Sequence, residues 1–566
     1  KMGSMGNVLT YEPKVQFTPE LDDTIQRVRY DFEYTKAELL RERFTQTYLD
    51  WCKGLNVKSR AQAYGRGFFP LESSLDYDIP ECESWTMTWL RHRLGEEMSE
   101  EDYRRGRAYT MVNKYVSSAA HLRGKRLVSC EEMTNTYTVF NMTLELLKIG
   151  GDQTAISGVT HSIFHGFNYS PKEAPFPGWI RYGAYYNENN NWWPYFKYYT
   201  AYKGRMASAL QHGTMYADIA ILHPIADMWS TLGMQNEPFP ATTNVKYKTL
   251  VWEAIHKNGS GCDYVSESII RDAEMKDGYL CYGPRKYKTL FLIEVESMEP
   301  ATAHKLYDFV ASGGRIFCIE AYPHKSVGLK DHDKHDKEVQ EWVAKMKQMD
   351  GRFILLHKPE KDFVGWYQGV QKDYGLTPYM TIEKPDPYLM QNRYQGDNKE
   401  EMFFFSYAHR YNSHQTRISF SNEVVKGRQG WVWDLETGER YRLPLDAANS
   451  FLFDFGPADS LLIVFDKQKR GNDYKPLPVS GEDLKDLSSD WDVEFRHSRE
   501  NTVQNTHFDK LKDLKDTDYV NFCGTIVYRK KVNVSSPVGM VLNLGLVHGV
   551  SEVFVNGQSC GVKWYG

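Results

Sequence analysis

The stretch KRLVSCEE, residues 125–132, ends an apolar run with two neighbouring glutamates, and it determines how we interpret the rest of the chain. Its apolar residues predict a short buried strand. Adjacent strand residues point to opposite faces of a sheet, so Glu131 and Glu132 cannot both face one pocket. Carboxylates at a strand end are candidates for acid–base chemistry; the competing interpretation is a solvated strand end or a salt bridge.

Around this stretch, helical and strand patterns alternate over the first 212 residues, which is typical of βα units around a parallel sheet. We expect the helix within 138–156 to end at Gly150 and Gly151, because paired glycines terminate helices. The other predicted elements are an amphipathic helix at 27–50, a strand ending at Gly65, a helix at 100–122, a strand at 157–167 and a helix from about Trp193 to Gln211.

Further along, the pattern predicts three more units. Residues 213–350 predict a small doubly wound, flavodoxin-like α/β domain, and the SGG at 312–314 follows a helix, so it does not support a dinucleotide site. From 351 to 470, short strands beginning with FILLH at 353–357 predict a β-sandwich. Residues 485–566 predict a last β unit with a strand at 539–547 and an Asn-Gly hairpin within VNGQ.

Composition excludes several classes of function. The chain has 566 residues, with 41% hydrophobic and 25% charged residues and a net charge of −5, so it offers no electrostatic case for nucleic acid or an anionic membrane. No run of 18 apolar residues predicts a membrane span, and none of the eight cysteines forms a CxxC pair. Aromatic residues reach 14%, which indicates either large mixed cores or surfaces that stack on sugars.

Two pairs of carboxylates lie where a glycoside hydrolase of the βα-barrel type would carry them. Such enzymes place two carboxyl groups across the scissile bond, at the carboxyl ends of barrel strands. The first pair is Glu81 and Glu83 within IPECESW, for which an exposed acidic loop is the competing interpretation. The second is Glu131 and Glu132, of which alternation allows only one to point inward. We count Glu132 among the candidate substrate contacts.

Other candidate substrate contacts lie near the same strand ends. Gln62 and Tyr64 in SRAQAYG are suited to sugar hydroxyls, although a satisfied buried glutamine is an equal alternative. His165 lies near the end of the strand at 157–167, and a structural histidine is the competing interpretation. Trp192 and Trp193 precede a helix near the same rim, where one of them could form a sugar platform or pack in the core.

In combination, these segments resemble glycoside hydrolase family 106, the α-L-rhamnosidases. The motifs are RVRYDFEYTKAELLRERF, KSRAQAYG, DIPECESW, GKRLVSCEEMT, HSIFHGFNYSP and NNNWWP, in that order. The resemblance implies inverting hydrolysis of terminal α-L-rhamnose at a barrel active site with a calcium ion. Carried over by motif, Glu131 is the general base or its catalytic partner. Glu83 is a second catalytic group or a calcium ligand, and Glu81 is another calcium ligand.

The resemblance also bears on the fold. We expect residues 1–212 to be the C-terminal part of a (β/α)8 barrel, with the N-terminal half in the same or another chain. The last unit is similar to the galactose-binding jelly roll of family 2 relatives, and we expect it to be incomplete. The predicted fold is thus multidomain α/β plus β: a partial barrel, a flavodoxin-like domain and two β-sandwich domains.

Three functions remain open from the sequence. The first is a rhamnosidase acting on a polysaccharide or glycoside, the second an exo-glycosidase for another sugar on the same scaffold, and the third a non-catalytic carbohydrate-binding protein. The resemblance implies export to the periplasm, cell surface or medium of a bacterium, although the sequence shows no signal peptide.

Overall fold

The computed structural model describes most of the chain, in nine stretches. They are residues 18–85, 110–134, 140, 142–179, 183–234, 248–476, 485–534, 540–547 and 549–566. Within them the chain is mixed α/β with several separate sheets, as the sequence predicts.

The first unit is built on four parallel strands, which are neighbours in chain order. They are β1 (Arg60–Gln62), β2 (Ile79–Trp85), β3 (Ser129–Thr134) and β4 (His161–Phe164). The helices are α1 (Pro19–Leu39), which continues through a π-helical segment (Leu40–Thr45) into α2 (Gln46–Gly54), then α3 (Pro70–Ser74), α4 (Thr110–Leu122), α5 (Leu144–Ile156) and α6 (Phe196–His212), the last after a 3₁₀ turn (Trp193–Tyr195). A short strand, β5 (Gly213–Met215), follows α6.

Side-chain caps start two of these helices. The Thr18 hydroxyl accepts a hydrogen bond from the backbone N–H of Leu21 at the start of α1, where Pro19 takes the first helical position. The Thr143 hydroxyl accepts from the N–H of Leu146 at the start of α5. Each cap satisfies one of the backbone donors that a helix N-terminus leaves unpaired.

The prediction that Gly150 and Gly151 end a helix is wrong, because α5 continues to Ile156. The two glycines are there for close packing. A Cβ on Gly150 would lie 2.2 Å from Cε of Met133, and a Cβ on Gly151 would lie 2.6 Å from the Tyr199 hydroxyl. Since real Cβ atoms do not approach so closely, a Cβ at either position would force the Met133 side chain on β3 or the Tyr199 side chain on α6 to move.

The second unit contains a five-stranded parallel sheet. Its strands are β6 (Ile219–Leu222), β7 (Cys262–Val265), β11 (Thr289–Ile293), β12 (Arg315–Ile319) and β13 (Phe353–Leu356), in the order β13-β12-β11-β6-β7. A small antiparallel sheet is formed by β8 (Glu274–Lys276), β9 (Tyr279–Tyr282) and β10 (Arg285–Tyr287). The helices are α7 (Ile225–Leu232), α8 (Lys248–Lys257), α9 (Glu267–Asp272), α10 (Pro300–Ala311), α11 (His332–Lys347) and α12 (Phe363–Tyr374).

The position of β13 corrects one strand prediction. The sequence placed FILLH at the start of the sandwich, but Phe353–Leu356 pairs in parallel with β12. A short apolar run has the same pattern in a buried parallel strand as in a sandwich strand, so periodicity cannot separate the two. The parallel sheet therefore extends beyond residue 350.

Two antiparallel sheets follow, with the orders β19-β18-β21-β16-β15-β5 and β14-β17-β20. Phenylalanines such as Phe403 and Phe453 come from different sheets and belong to one buried cluster, so the sheets share a core. Their elements are β14 (Met380–Ile382), β15 (Leu389–Gly396), β16 (Glu401–Tyr407), β17 (His414–Phe420), α13 (Asn422–Val425), β18 (Gln429–Trp433), β19 (Arg440–Arg442), β20 (Ser450–Phe455) and β21 (Ser460–Asp466).

The last residues form a three-stranded antiparallel sheet and a hairpin. The sheet has the order β23-β22-β24, from β22 (Ser489–His497), β23 (Val503–Lys510) and β24 (Gly524–Arg529), with a 3₁₀ turn at Leu514–Asp516. The hairpin joins β25 (Ser551–Val555) to β26 (Gln558–Lys563) through Asn556 and Gly557, whose φ angles of 52° and 79° are those of the predicted Asn-Gly turn. The described residues 540–547 form no strand, contrary to prediction, and all their apolar side chains except that of Val547 are exposed.

The end of the chain packs back onto the first unit. Trp564 is 2% exposed and makes edge contacts with the rings of Tyr199 and Tyr202 on α6, at 5.9 and 5.8 Å. The neighbouring Tyr565 ring lies 4.3 Å from Nζ of Lys148 on α5. These contacts attach the last hairpin to the helices behind β3.

Candidate active site

Strand alternation divides the first sheet into an apolar face and a polar face. Cys82 on β2 and Cys130 on β3 are register partners and belong to one buried cluster with Val112 and Val116 of α4. The residues on either side of each cysteine therefore point to the opposite face. That opposite face carries Arg60, Gln62, Glu81, Glu83, Ser129 and Glu131.

Glu131 is the most accessible of the predicted carboxylates, since its side chain is 32% exposed. Its Oε2 accepts a hydrogen bond of 2.8 Å from the Gln62 amide, and its Oε1 accepts one of 2.9 Å from the Thr134 hydroxyl. Nδ1 of His165 lies 3.3 Å from the same Oε1 and 3.0 Å from Oγ1 of Thr134. Three polar side chains therefore hold a carboxylate that still reaches solvent.

A break in strand regularity brings Thr134 to this side of the sheet. Three residues after Glu131, a regular strand would turn Thr134 to the opposite face. The β2–β3 register shifts between Glu83 and Trp85, and Met133 has a left-handed φ of 68°. This irregularity turns the Thr134 hydroxyl back towards Glu131, as bulges near active sites do.

Glu83 is paired with Tyr64 beside this group. The Tyr64 hydroxyl lies 2.8 Å from Oε2 of Glu83 and 3.0 Å from Oε1 of Gln62. Burial, followed by the nearby charge of Glu83, raises the pKa of Tyr64 far above its usual range. The phenol therefore stays protonated and acts as a hydrogen-bond donor between the amide and the carboxylate.

Glu81 lies deeper and already has partners on both oxygens. Its Oε2 accepts a 2.6 Å hydrogen bond from Ser129 and lies 3.1 Å from Nε of Arg60, while its Oε1 lies 3.4 Å from the Gln62 amide. The Arg60 guanidinium supplies positive charge next to this carboxylate. Glu81 is thus a buried structural anion in the interior of the polar face.

Glu132 does not face the site, which corrects its assignment as a substrate contact. Its side chain is fully buried on the helix side of the sheet, where Oε1 lies 3.1 Å from Nζ of Lys203 on α6. Lys203 also donates to the carbonyl of Gly151, while Oε2 of Glu132 accepts no hydrogen bond within the described residues. Alternation turns Glu132 away because it turns Glu131 towards the site.

The two predicted tryptophans occupy different environments. Trp192 is 6% exposed and donates its indole N–H to the carbonyl of Met142, so it packs in the core and cannot serve as a sugar platform. Trp193 is half-buried, stacks on Phe196 at 5.4 Å and lies 6.1 Å from the ring of Phe167. A dipeptide WW does not reveal which ring faces the core, because that depends on the turn that precedes α6.

Four residues of this region escaped the sequence analysis: Arg60, Ser129, Thr134 and Lys203. Arg60 and Ser129 share the face of Gln62 and Glu131 by simple alternation, so that pattern could have identified them. Thr134 depends on the strand irregularity and Lys203 on the packing of α6, and neither leaves a signal in sequence.

The described parts of the chain contain neither a cluster of metal-ligating side chains nor a membrane-spanning helix. Among these residues, no three or more His, Cys, Asp or Glu side chains are grouped so that they could hold a metal ion. Within the same stretches, no helix combines the length and apolar character needed to cross a bilayer.

Carboxylates on neighbouring parallel strands, together with amide, hydroxyl and imidazole groups, are the groups that a glycoside hydrolase uses, and the chain carries a domain of that class. Residues 18–445 match the sequence profile of glycoside hydrolase family 106, described as alpha-L-rhamnosidase. The chain belongs to that family, which confirms the resemblance drawn from the motifs.

The individual proteins that this chain resembles are named as glycosidases of different kinds. A curated protein from Formosa agariphila, named "Putative beta-glucuronidase", is 23% identical over 476 residues, covering 81% of this chain and 36% of its own length. The rhamnosidase structure from Novosphingobium sp. PP1Y has a TM-score of 0.68 at 19% identity, covering 96% of this chain and 50% of that one. A family 42 β-galactosidase from G. stearothermophilus has a TM-score of 0.52 at 12% identity, covering 80% and 70%.

These coverages show that the chain spans about a third of the curated relative and half of the solved rhamnosidase. At these identities the structural matches establish the fold alone.

Proposed function

We propose that this chain carries part of the active site of a glycosidase that removes terminal α-L-rhamnose from a polysaccharide or glycoside. The observation that carries this is the setting of Glu131, a solvent-reaching carboxylate on β3 that is held by Gln62, Thr134 and His165. Membership of the rhamnosidase family supports the choice of sugar.

In an inverting reaction Glu131 acts as the general base. It takes a proton from the water that attacks the anomeric carbon, while a carboxylic acid protonates the departing oxygen on the other face of the sugar. The hydrogen bonds from Gln62 and Thr134 hold the carboxylate in one orientation towards that water. Such positioning lowers the entropic cost of the reaction.

Glu83 suits a supporting role better than that of the general acid. It is the register partner of Glu131 on the neighbouring strand β2. Glu83 is also 8% exposed and hydrogen-bonded by Tyr64. We therefore place the general acid on other strands of the full-length protein.

The strands that would carry the general acid are the other strands of a proposed barrel. Four parallel strands with a polar, partly exposed face are half of a (β/α)8 barrel, in which that face would line the interior. The proposed barrel is completed by further strands from the same or another chain. We also propose that residues 213–350 form a flavodoxin-like domain, residues 351–470 a β-sandwich and residues 485–566 a jelly roll. Export from the cell is a further proposal, which cell fractionation would test.

Calcium, which the family resemblance implies, fits the described residues poorly. Both oxygens of Glu81 are engaged by Ser129, Arg60 and Gln62, and a guanidinium at 3.1 Å repels a cation. Calcium binding stays a prediction for the full-length protein: EDTA should abolish activity and added Ca²⁺ restore it, whereas activity unaffected by EDTA would contradict it.

A second candidate is an exo-glycosidase for another sugar on the same scaffold. It is favoured by the β-glucuronidase name of the Formosa agariphila relative. A panel of p-nitrophenyl glycosides on the full-length protein separates the candidates: release from the α-L-rhamnoside supports the first, and release from another glycoside alone supports the second. A carbohydrate-binding protein without catalysis would bind sugars and release no nitrophenol.

The decisive variant is Glu131→Gln in the full-length protein. We expect kcat on p-nitrophenyl α-L-rhamnoside to fall by about 10²–10⁴-fold, since an amide cannot accept the proton. The matched control is Glu360→Gln, an exposed glutamate after β13 in the second unit that should leave kcat unchanged. Unchanged turnover in the Glu131 variant would refute the assignment, and NMR of the first-formed sugar would show whether the anomeric centre inverts.

A further inference from the structure

The loop after β4 exposes an unusual number of large aromatic side chains. Within residues 166–179, the exposed fractions are 61% for Phe167, 75% for Tyr169, 47% for Phe176 and 68% for Trp179. Single exposed apolar side chains are ordinary, but several on one short segment indicate a surface that binds a ligand or another macromolecule.

Hydrogen bonds hold this loop in a defined shape. The N–H of Trp179 donates to the Ser170 hydroxyl at 3.1 Å, which brings Trp179 close to Tyr169 along the folded loop. The side-chain amide of Asn187 donates to the carbonyl of Asn168 at 3.1 Å. The aromatic side chains are therefore carried on a preformed scaffold, which lowers the entropic cost of binding a ligand.

The loop begins beside the carboxylate of the proposed active site. It follows directly on His165, whose Nδ1 lies 3.3 Å from Glu131. Phe167, two residues on, lies 6.1 Å from the half-buried ring of Trp193. The surface that starts at Phe167 is thus continuous with the rim where the sugar would bind.

Phe176 differs from the other three aromatic residues of the loop. Its ring packs on Phe140 at 5.4 Å and is covered by the guanidinium of Arg499 at 3.8 Å, so it anchors the loop to its surroundings. In the part of the chain that the structure describes, the rings of Tyr169 and Trp179 stack on no other ring. Like Phe167, they are largely exposed to solvent.

We propose that Phe167, Tyr169 and Trp179 form a platform for the glycan on the leaving-group side of the scissile bond. This rests on the proposed function. An enzyme that removes a terminal sugar encloses that sugar, so the rest of the chain must leave across the rim. Aromatic faces cover the C–H faces of sugar rings, while nearby amides and hydroxyls take the hydroxyl groups. The ligand class is an oligosaccharide carrying the terminal deoxy sugar.

The test compares two substrates on the full-length protein. One is α-L-rhamnosyl fluoride, which has no ring on the leaving side, and the other is an oligosaccharide with α-L-rhamnose at its non-reducing end. In Tyr169→Ala and Trp179→Ala, we expect kcat/KM on the oligosaccharide to fall about tenfold each and that on the fluoride to stay unchanged. Equal losses on both substrates, or none on either, would overturn the platform.

Trp51→Ala is the matched control, since Trp51 on α2 is 61% exposed and lies outside the loop. It should affect neither substrate. Iodide quenching gives a second readout: Trp179 must be quenched in the free full-length protein and protected by the oligosaccharide. If Trp179 is inaccessible without sugar, another part of the polypeptide covers it and the platform is refuted.

Binding separates this inference from the proposed function. If the protein hydrolyses neither substrate, calorimetry with the same oligosaccharide decides the platform alone. Binding that is weakened in the Tyr169→Ala/Trp179→Ala double variant, and kept in Trp51→Ala, supports it. No binding, or equal binding in the double variant, refutes it whatever the chemistry at Glu131.

Discussion

At the level of single side chains, Thr134 links two groups of the site. A hydroxyl has one proton, so when it donates to Glu131 it can accept from Nδ1–H of His165. This arrangement orders a chain from imidazole through hydroxyl to carboxylate. The proton of the neutral imidazole is assigned to Nδ1, because that nitrogen faces the Thr134 hydroxyl and the Glu131 carboxylate.

We expect Thr134→Val, assayed in the full-length protein, to lower kcat/KM about tenfold or more, because a hydrogen bond to a charged group contributes about 1.5–3 kcal/mol. Thr134→Ser keeps the hydroxyl and should retain most of the activity. Steady-state kinetics on the p-nitrophenyl rhamnoside measures both. Activity kept in the valine variant but lost in the serine variant would show that the methyl group, and not the hydroxyl, matters.

A second prediction at this level concerns the ion pair of Glu132 and Lys203 behind β3. Both side chains are buried, so Lys203→Met leaves an uncompensated carboxylate and should lower the free energy of unfolding by about 3–5 kcal/mol. The double variant Glu132→Leu/Lys203→Met removes both charges and should recover most of the loss. Urea unfolding measures this cycle, and a double variant as unstable as the single one would contradict it.

At the level of elements, the fit of α5 against β3 and α6 decides the position of the site strand. Glycine normally weakens a helix, and alanine in its place stabilises it by about 1 kcal/mol. On α5 that rule should reverse at Gly151, where a Cβ would lie 2.9 Å from Oε1 of Glu132 and 2.6 Å from the Tyr199 hydroxyl.

We therefore expect Gly151→Ala to destabilise the protein by about 1–3 kcal/mol, through overpacking. Gly204→Ala on α6 is the matched control, because nothing lies within 4 Å of its Cβ position and it should stabilise. Thermal unfolding of both variants checks the pair. A stabilising effect at Gly151 would mean that α5 does not lie as close to β3 as described.

At the level of the whole molecule, His256 joins three parts of the fold. Its Nδ1 lies 2.8 Å from the carbonyl of Gln391 on β15, and its Nε2 accepts from the N–H of Cys262 on β7 at 3.2 Å. Burial, and then the charge of Lys114, lowers the pKa of His256 to about 3. The neutral ring is the form that satisfies both contacts.

This shift predicts how stability depends on pH. The unfolded chain takes up a proton on His256 below the ordinary pKa of 6.5, while the folded protein stays neutral until about 3, so folding stability falls as pH drops between these values. The slope from this one group is about 1.4 kcal/mol per pH unit. Urea unfolding from pH 7 to 5 should show a shallower slope for His256→Gln than for wild type.

The control is His357→Gln, because that side chain is 78% exposed and its removal should leave the slope unchanged. Parallel slopes for wild type and the His256 variant would mean that this histidine is not buried in its neutral form.

Several features could be predicted from the sequence because they depend on neighbours along the chain. Alternation placed Glu131 and Glu132 on opposite faces, and the Asn556–Gly557 pair predicted its own hairpin. The family could be recognised because motif order is a property of the chain itself.

Other features depend on which elements meet in space. Gly150 and Gly151 carry the signal of a helix end, yet contacts with Met133 and Tyr199 explain them as a close approach between elements. The side chain of Trp192 packs in the core, and that of Thr134 turns towards Glu131 across a strand irregularity. Lys203 meets Glu132 only because α6 packs across β3.

The sequence by itself thus determined the family, the alternating pattern of elements and which glutamate of VSCEE faces the site, since each follows from local periodicity or motif order. Only the tertiary structure decided what holds that glutamate, what neutralises its neighbour and which aromatic rings stay exposed beside it. The physical reason is that hydrogen bonds, buried ion pairs and close packing join residues far apart in the chain, whose meeting no local pattern records.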